Sequence, residues 1–207
     1  MDDSESIHYL YYPTHEVVEG SGIFIASVLT AYVMEGADTE FQNGINQYGV
    51  IYIDNRLRYK DKVDSFYGLF STRENMDVTM GENLSFLLEE IPLEISDYLT
   101  REDRSGDSSG LALTLSSLSK EDNWNNEVPI AVTGAIDKDG NVLEVGLIQE
   151  KVQIAARDGH THMIVPQDNL SEAEKIQQEY SLSIKISGVK NVEDAIEIIE
   201  KWNEEAN

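Results

Sequence analysis

The chain has 207 residues, a net charge of −24 and no cysteine. Its length suits one domain with a substantial core, and a hydrophobic fraction of 41% is typical of a globular protein rather than of a disordered acidic tail. The negative charge disfavours nucleic acid and anionic membrane surfaces as partners. The lack of cysteine excludes disulfide scaffolds, thiolate zinc sites and cysteine nucleophiles.

Two features near the start of the chain bear on its location. The apolar run at 22–34 is shorter than the roughly 20 residues of a membrane span, so we expect no membrane insertion by this chain. Asp2, Asp3 and Glu5 occupy the place where a signal peptide carries positive charge. We expect a cytoplasmic protein if Met1 is the native start, or the extracytoplasmic domain of a membrane-anchored protein if an anchor has been removed.

The first half of the chain is predicted to be rich in strands. Short runs of Tyr, Ile and Val occur at 7–12, 22–33 and 48–53, and these residue types favour strands. A helix is predicted at 81–91, stopped by Pro92. A further strand is predicted at 93–99, followed by a polar loop.

The second half is predicted to alternate helices and strands. Leu111, Leu115 and Leu118 recur at helical spacing after the polar loop. The remaining predicted elements are a strand at 128–136, a turn at 137–141, a strand at 142–145 that completes a hairpin, a helix at 148–157, a strand at 162–165, a helix opened by a Ser171–Glu174 capping box, a strand at 182–186 and a last helix capped by Asn191. This order predicts a mixed α+β fold, with α/β as the related alternative.

A serine lies between glycines at the predicted start of a helix. Residues 106–110 read Gly-Asp-Ser-Ser-Gly, which matches the G-x-S-x-G nucleophile elbow. The glycines permit a sharp turn, and the helix N-terminus offers N–H groups to a developing oxyanion. Ser108 is therefore a candidate nucleophile, with Asp107, Ser109 and Gly110 in supporting roles. The alternative is a serine that only caps the helix.

One candidate base for this serine is histidine, as in an α/β-hydrolase. In that fold a buried strand leads into the serine, but residues 100–105 here are polar. The downstream histidines, His160 and His162, stand just before a predicted strand rather than in a late loop. This interpretation is disfavoured. As a metal-binding pair the two histidines lack nearby further ligands, so no metal site is predicted.

The other candidate base is a lysine on the helix predicted at 148–157. On a helical wheel Lys151 lies between Ile154 and Ala155, beside the apolar stripe and away from the polar face, where Glu150 is placed. A lysine in this position either extends its charge to solvent or is desolvated, which lowers its pKa and makes it a neutral general base. A Ser–Lys dyad needs no histidine.

Between residues 105 and 166 the chain resembles the proteolytic domain of the Lon protease family. The family surrounds its nucleophile with D-G-x-S-A-G, and residues 105–110 read S-G-D-S-S-G. A strand ending in T-G is matched at 131–134, and a G-x-V hairpin at 140–142. The family motif G-G-[LI]-K-E-K, whose last lysine is the base, is matched by G-L-I-Q-E-K at 146–151. The sequence of the hairpin is most similar to that of the membrane-anchored Lon-like branch.

This resemblance implies a fold, a mechanism and a set of partners. The fold would be the ribosomal protein S5 domain 2-like type, in one domain of 1–207 with a β-rich part at 1–80 and a catalytic part at 81–207. Neutral Lys151 would take the proton of Ser108, and Thr133 would hydrogen-bond the lysine. No ATPase module fits in the chain, so the resemblance implies an ATP-independent endopeptidase that needs no cofactor, acts on unfolded or flexible protein segments, and assembles as a hexameric ring.

The chain departs from the family pattern at several positions. Ser105 replaces the family's Asp, Ser109 its Ala and Leu147 its second Gly. Asp107 directly precedes the nucleophile, where an inward-pointing carboxylate would raise the pKa of the lysine. The rival hypotheses are therefore a catalytically inactive Lon-like module that binds peptides or assembles with a partner, and an esterase of the α/β-hydrolase type.

Overall fold

A computed structural model describes residues 5–34, 73–101, 106–121 and 126–206. Its strands are β1 Glu5–Tyr11, β2 Ile23–Ile25, β3 Val28–Met34, β4 Ile130–Val132, β5 Ala135–Ile136, β6 Val142–Leu143, β7 His162–Pro166 and β8 Lys185–Val189. Its helices are α1 Arg73–Leu87, α2 Leu93–Leu99, α3 Gly110–Glu121, α4 Ile148–Arg157, α5 Leu170–Glu179 and α6 Val192–Ala206. This mixture confirms the predicted α+β class.

Four strands form a parallel sheet in the order β2-β4-β7-β8. Along β4, Ile130, Ala131 and Val132 are fully buried, and alternate residues face opposite sides of the sheet. Ile130 and Val132 belong to a hydrophobic cluster that also contains residues of α1, α2, α3 and α6. Ala131 belongs to a second cluster with residues of α4 and α5. Because helices cover both faces of the sheet, every side chain of β4 is buried, which explains its continuous apolar sequence.

The strand predicted at 128–136 is two strands in different sheets. β4 belongs to the parallel sheet, whereas β5 pairs with β6 in the predicted antiparallel hairpin. Between them, the Thr133 N–H donates to Ile164 O at 3.1 Å, while the Gly134 N–H donates to Ser108 O at 2.8 Å. The chain changes sheets here because its hydrogen bonding passes from β7 to the loop that carries Ser108.

The helices before the serine loop differ from their predictions. The helix predicted at 81–91 begins at Arg73 and ends at Leu87, so Pro92 does not stop it. Pro92 is instead the N-cap residue of α2. The segment predicted as a strand at 93–99 is therefore helical. Its buried residues, Ile95 and Tyr98, are three positions apart and lie on one face of α2.

The N-terminal strands form two separate pairings. β1 and β3 form an antiparallel ribbon in the register Tyr11↔Val28, and β2 joins the parallel sheet beside β4. The predicted run at 22–33 is therefore divided between two sheets. The strand predicted at 48–53 lies outside the described residues.

The C-terminal elements follow the prediction with two corrections. The N-cap of α5 is Asn169 and no side chain caps it, so the Ser171–Glu174 capping box is not formed. The strand predicted at 182–186 is found at Lys185–Val189. The cap of α6 is confirmed, since the Asp194 N–H donates to Asn191 Oδ1 at 2.8 Å.

Candidate active site

Ser108 lies in the loop that enters α3. Its side chain is partly exposed, whereas Ser109 is buried and its Oγ lies 3.7 Å from Met80 Sδ on α1. Gly106 has a φ of +86°, a left-handed conformation that favours glycine. The loop therefore leaves Ser108 accessible to solvent, while Ser109 packs in the core.

The start of α3 is held against the β5–β6 hairpin. A Cβ at Gly110 would lie 2.9 Å from Ile136 Cγ1, so a close approach requires glycine here. The Gly110 N–H donates to Asp107 O at 2.9 Å, and the Leu111 N–H donates to Gly134 O at 3.0 Å. Both N–H groups belong to the helix N-terminus, where donors to an oxyanion were expected, and both are engaged within the protein.

Lys151 lies in the first turn of α4, and its side chain is only 4% exposed. It shares this burial with Ile154 and Ala155, the residues beside it on the helical wheel. Lys151 Nζ donates a hydrogen bond to Thr133 Oγ1 at 3.0 Å. The Lys151 side chain is therefore desolvated and does not extend its charge to solvent.

Thr133 connects the lysine to the serine loop. Its Oγ1 accepts from Lys151 Nζ and donates to the backbone carbonyl of Ser108 at 3.3 Å. Thr133 is itself fully buried at the end of β4. The structure therefore brings Ser108, Thr133 and Lys151 together from three separate parts of the sequence.

Burial dominates the electrostatics of the lysine. It lowers the pKa of Lys151 from its ordinary 10.5 to about 8, and the carboxylates of Asp107 and Glu150 act in the opposite direction. The net charge of −24 also favours the protonated form. A pKa near 8 nevertheless gives a substantial neutral fraction of Lys151 at mildly alkaline pH.

Glu150 is a feature that the sequence pattern missed. The helical wheel assigned it to the polar face of α4, yet its side chain is 0% exposed. Its neighbours on the helix give no signal for this burial, which arises from packing of the helix N-terminus against the rest of the protein. Glu150 therefore adds a buried acidic group next to Lys151 in the chain.

The two histidines lie elsewhere. Both ring nitrogens of His160 make contacts away from the serine loop, Nε2 with Thr14 Oγ1 at 2.8 Å and Nδ1 with Pro129 O at 3.4 Å. The ring of His162 lies 4.5 Å from that of Trp202. These contacts give no support to a hydrolase triad built on Ser108 and either histidine.

The described ranges also bear on metal binding and on membrane insertion. Within them, no group of three or more His, Asp or Glu side chains is placed to hold a metal ion. No helix in the same ranges has both the length and the apolar composition needed to cross a bilayer.

The family model of the Lon protease (S16) C-terminal proteolytic domain matches residues 67–201 of the chain. This match covers more than half of the sequence and includes Ser108, Thr133 and Lys151. The chain belongs to this family, as its motifs indicated.

Individual relatives agree with this assignment. The chain is 36% identical over 100 residues to the Lon protease of Mycoplasma mycoides, covering 48% of this chain and 13% of the relative. It is 35% identical over 95 residues to that of Fervidobacterium nodosum, covering 46% and 12%. The mitochondrial Lon protease homolog of Scheffersomyces stipitis is 27% identical over 198 residues, covering 91% and 17%. The chain thus spans only 12% to 17% of the length of these three relatives.

Proposed function

We propose that the chain is a peptidase in which Ser108 is the nucleophile and Lys151 the general base of a Ser–Lys dyad. The observation that carries this proposal is the buried lysine of α4, whose Nζ bonds Thr133 Oγ1 while Thr133 in turn bonds the carbonyl of Ser108. A desolvated lysine with a pKa of about 8 suits a general base, because the neutral amine is accessible near neutral pH.

In the first half of the reaction, neutral Lys151 Nζ takes the proton from Ser108 Oγ. The Oγ attacks the peptide carbonyl carbon, and the C=O electron pair moves onto oxygen. The tetrahedral intermediate collapses, the C–N bond breaks, and the Lys151 ammonium returns its proton to the leaving amine. The substrate is then held as an ester on Ser108.

In the second half, a water molecule hydrolyses this ester. Lys151 takes one proton of the water as its oxygen attacks the acyl carbon, and the C–Oγ bond breaks as the ammonium reprotonates Ser108 Oγ. Because the N–H groups of Gly110 and Leu111 are engaged, we assign the oxyanion to the backbone N–H groups of Ser108 and Ser109.

Thr133 has a positioning role in this proposal. Its hydroxyl orients the lysine amine and ties that orientation to the backbone of the nucleophile. Asp107 and Glu150 raise the pKa of Lys151 and so limit the neutral fraction. We expect the opposing effects of burial and of these carboxylates to set the pH range of activity.

The wider properties of the chain follow from the family. We propose that it cleaves unfolded or flexible protein segments without ATP, that residues 1–207 form one proteolytic domain, and that copies assemble as a ring, with a hexamer as the expected size. A cytoplasmic or membrane-anchored extracytoplasmic location both fit this proposal. None of these functions requires a cofactor.

The decisive experiment is hydrolysis of an unfolded casein-like substrate by the parent, Ser108→Ala, Lys151→Ala and a His160→Ala/His162→Ala double variant. We expect both dyad variants to lose about 10³-fold or more in rate, and the histidine variant to keep activity for as long as it stays folded. Added ATP should leave the rate unchanged. The parental rate should rise through about pH 8 as Lys151 loses its proton.

One rival function has a specific observation behind it. The carboxylates of Asp107 and Glu150 favour the lysine ammonium, which suits a catalytically inactive Lon-like module that binds peptides or assembles with a partner. A folded parent that is inactive between about pH 6 and 10 would refute the peptidase proposal and favour this rival. Full activity of Lys151→Ala would refute the dyad, and loss of ester cleavage only in the histidine variant would favour the esterase.

A further inference from the structure

The position of Lys151 depends on the segment that precedes α4. Lys151 is in the first turn, where its N–H donates to Leu147 O at 3.0 Å. The N-cap residue, Leu147, has a φ of +61° and makes no side-chain cap hydrogen bond. A helix end without a side-chain cap frays readily, so the lysine needs an anchor in the chain just before it.

Most of that preceding segment is at the surface. Leu143, Glu144 and Gly146 are exposed, whereas Val145 is half-buried. Both backbone polar groups of Val145 bond one buried side chain. The Val145 N–H donates to Asn169 Oδ1 at 2.9 Å, and Asn169 Nδ2 donates to Val145 O at 3.2 Å.

Asn169 makes these two bonds from a buried position, being 6% exposed. It is the N-cap residue of α5, the place where asparagine ordinarily caps a helix. Here Asn169, with φ −91° and ψ −10°, is the last residue of a 3-10 turn at Gln167–Asn169, and its side chain makes no cap hydrogen bond. Helix α5 therefore gives no reason for an asparagine at this position, whereas the backbone of Val145 does.

We propose that Asn169 is a positioning residue of the dyad, which fixes Lys151 by holding the backbone of Val145. The side-chain amide acts like one residue of a neighbouring strand, since it supplies one donor and one acceptor to a single residue. Through Val145 it fixes where α4 begins, and through α4 it keeps Lys151 Nζ against Thr133. The expected effect on kcat rests on the proposed function, whereas the expected effect on the position of Lys151 does not.

The test compares Asn169→Ala with Asn191→Ala. Asn191 is a matched control because its side chain caps α6, so that removing it lowers stability. Among the described residues, no hydrogen bond joins that side chain to the serine loop or to α4. Two quantities are measured for each variant: kcat and KM on an unfolded casein-like substrate, and the pKa of Lys151 by NMR titration of labelled lysine, assigned with Lys151→Met.

We expect Asn169→Ala to lower kcat at least tenfold with little change in KM, and to raise the Lys151 pKa by at least one unit toward that of an exposed lysine. Asn191→Ala should leave both quantities at parental values. If Asn169→Ala does not fold, Asn169→Ser replaces it, because the shorter hydroxyl side chain keeps the buried position polar but cannot reach both groups of Val145.

Two results would overturn the proposal: an unchanged Lys151 pKa in a folded Asn169 variant, or an equal shift in Asn191→Ala. The pKa measurement separates this inference from the proposed function. If the parent has no peptidase activity but the Lys151 pKa still changes in the Asn169 variant and not in Asn191→Ala, the positioning of Lys151 by Asn169 is supported and the proposed dyad is refuted.

Discussion

The two ends of α4 carry polar clusters of opposite character. At its N-terminal end, Lys151 is buried and bonds the neutral hydroxyl of Thr133. At its C-terminal end, the part-buried Asp158 carboxylate accepts three hydrogen bonds. Tyr11 Oη donates to it at 2.6 Å, the Thr14 N–H at 2.7 Å and Thr14 Oγ1 at 2.9 Å.

The two ends of α4 differ in the hydrogen-bond partners that surround the ionisable group. The Asp158 carboxylate has short hydrogen bonds that join α4 to the N-terminal ribbon, and its presence raises the pKa of Tyr11. The lysine has a neutral hydroxyl as partner and is desolvated, so that its charged form is disfavoured and its pKa falls. A strongly perturbed pKa of this kind is typical of functional sites.

The largest stability effect is expected from Lys151→Met, which replaces the buried amine by an apolar side chain of similar length. Because the lysine pKa is lowered on folding, the unfolded chain binds more protons between about pH 8 and 10.5, and parental stability should rise over this window by about 3 kcal/mol. Lys151→Met should lack this rise and be more stable than the parent at pH 7.

Chemical unfolding at several pH values measures this effect. Lys175→Met, at an exposed position on α5, is the matched control and should keep the parental pH dependence. Parallel pH profiles of the parent and Lys151→Met would show that the lysine is not desolvated, and the contrast between the two ends of α4 would disappear.

A smaller effect of opposite sign is expected from Asp158→Asn. The new amide group places a donor where the carboxylate accepted bonds from Thr14 or Tyr11, so we expect a loss of about 2 kcal/mol in the free energy of unfolding. Peptidase activity at 25 °C should stay within about twofold of the parent. Thermal unfolding and casein hydrolysis measure the two properties.

Asp97→Asn, an exposed position on α2, is the control for Asp158→Asn and should change neither property. If Asp158→Asn abolishes activity while the protein remains folded, the Asp158 cluster is part of the catalytic machinery and the division between the two ends of α4 is wrong.

The smallest effect is expected at Leu147, where the family has glycine. A φ of +61° is unfavourable for leucine, so Leu147→Gly should relieve strain and change stability by no more than about 1 kcal/mol. Ser181, with a φ of +51°, offers a control for relief of strain outside the candidate site. A change in kcat for Leu147→Gly but not for Ser181→Gly would extend the reactive region to the N-cap of α4.

The sequence allowed the main parts of the candidate site to be predicted because its strongest signals are local. The helix at 148–157 was predicted with its observed bounds, since its apolar stripe is regular and includes Lys151. The prediction of a strand at 93–99 was wrong, because a segment of seven residues is too short for its apolar spacing to distinguish a strand from a helix. Short apolar runs carry this ambiguity in general.

Other features depend on distant parts of the chain. The division of 128–136 into β4 and β5 follows from the hydrogen bond between Gly134 and Ser108, which no local pattern contains. The two bonds of Asn169 link positions 24 residues apart in sequence, and the burial of Glu150 reflects tertiary packing. Such contacts become visible only once the elements are placed in space.

The break between β4 and β5 has a consequence for folding. Thr133 bonds β7 through its N–H, the backbone of Ser108 through its hydroxyl hydrogen and Lys151 through its hydroxyl oxygen, so one residue joins the parallel sheet to both candidate residues. A parallel pairing closes long loops and forms late relative to local helices. The proposed dyad should therefore assemble only when β4 and β7 have paired, so that the proposed peptidase activity would be absent from a nascent or partly unfolded chain.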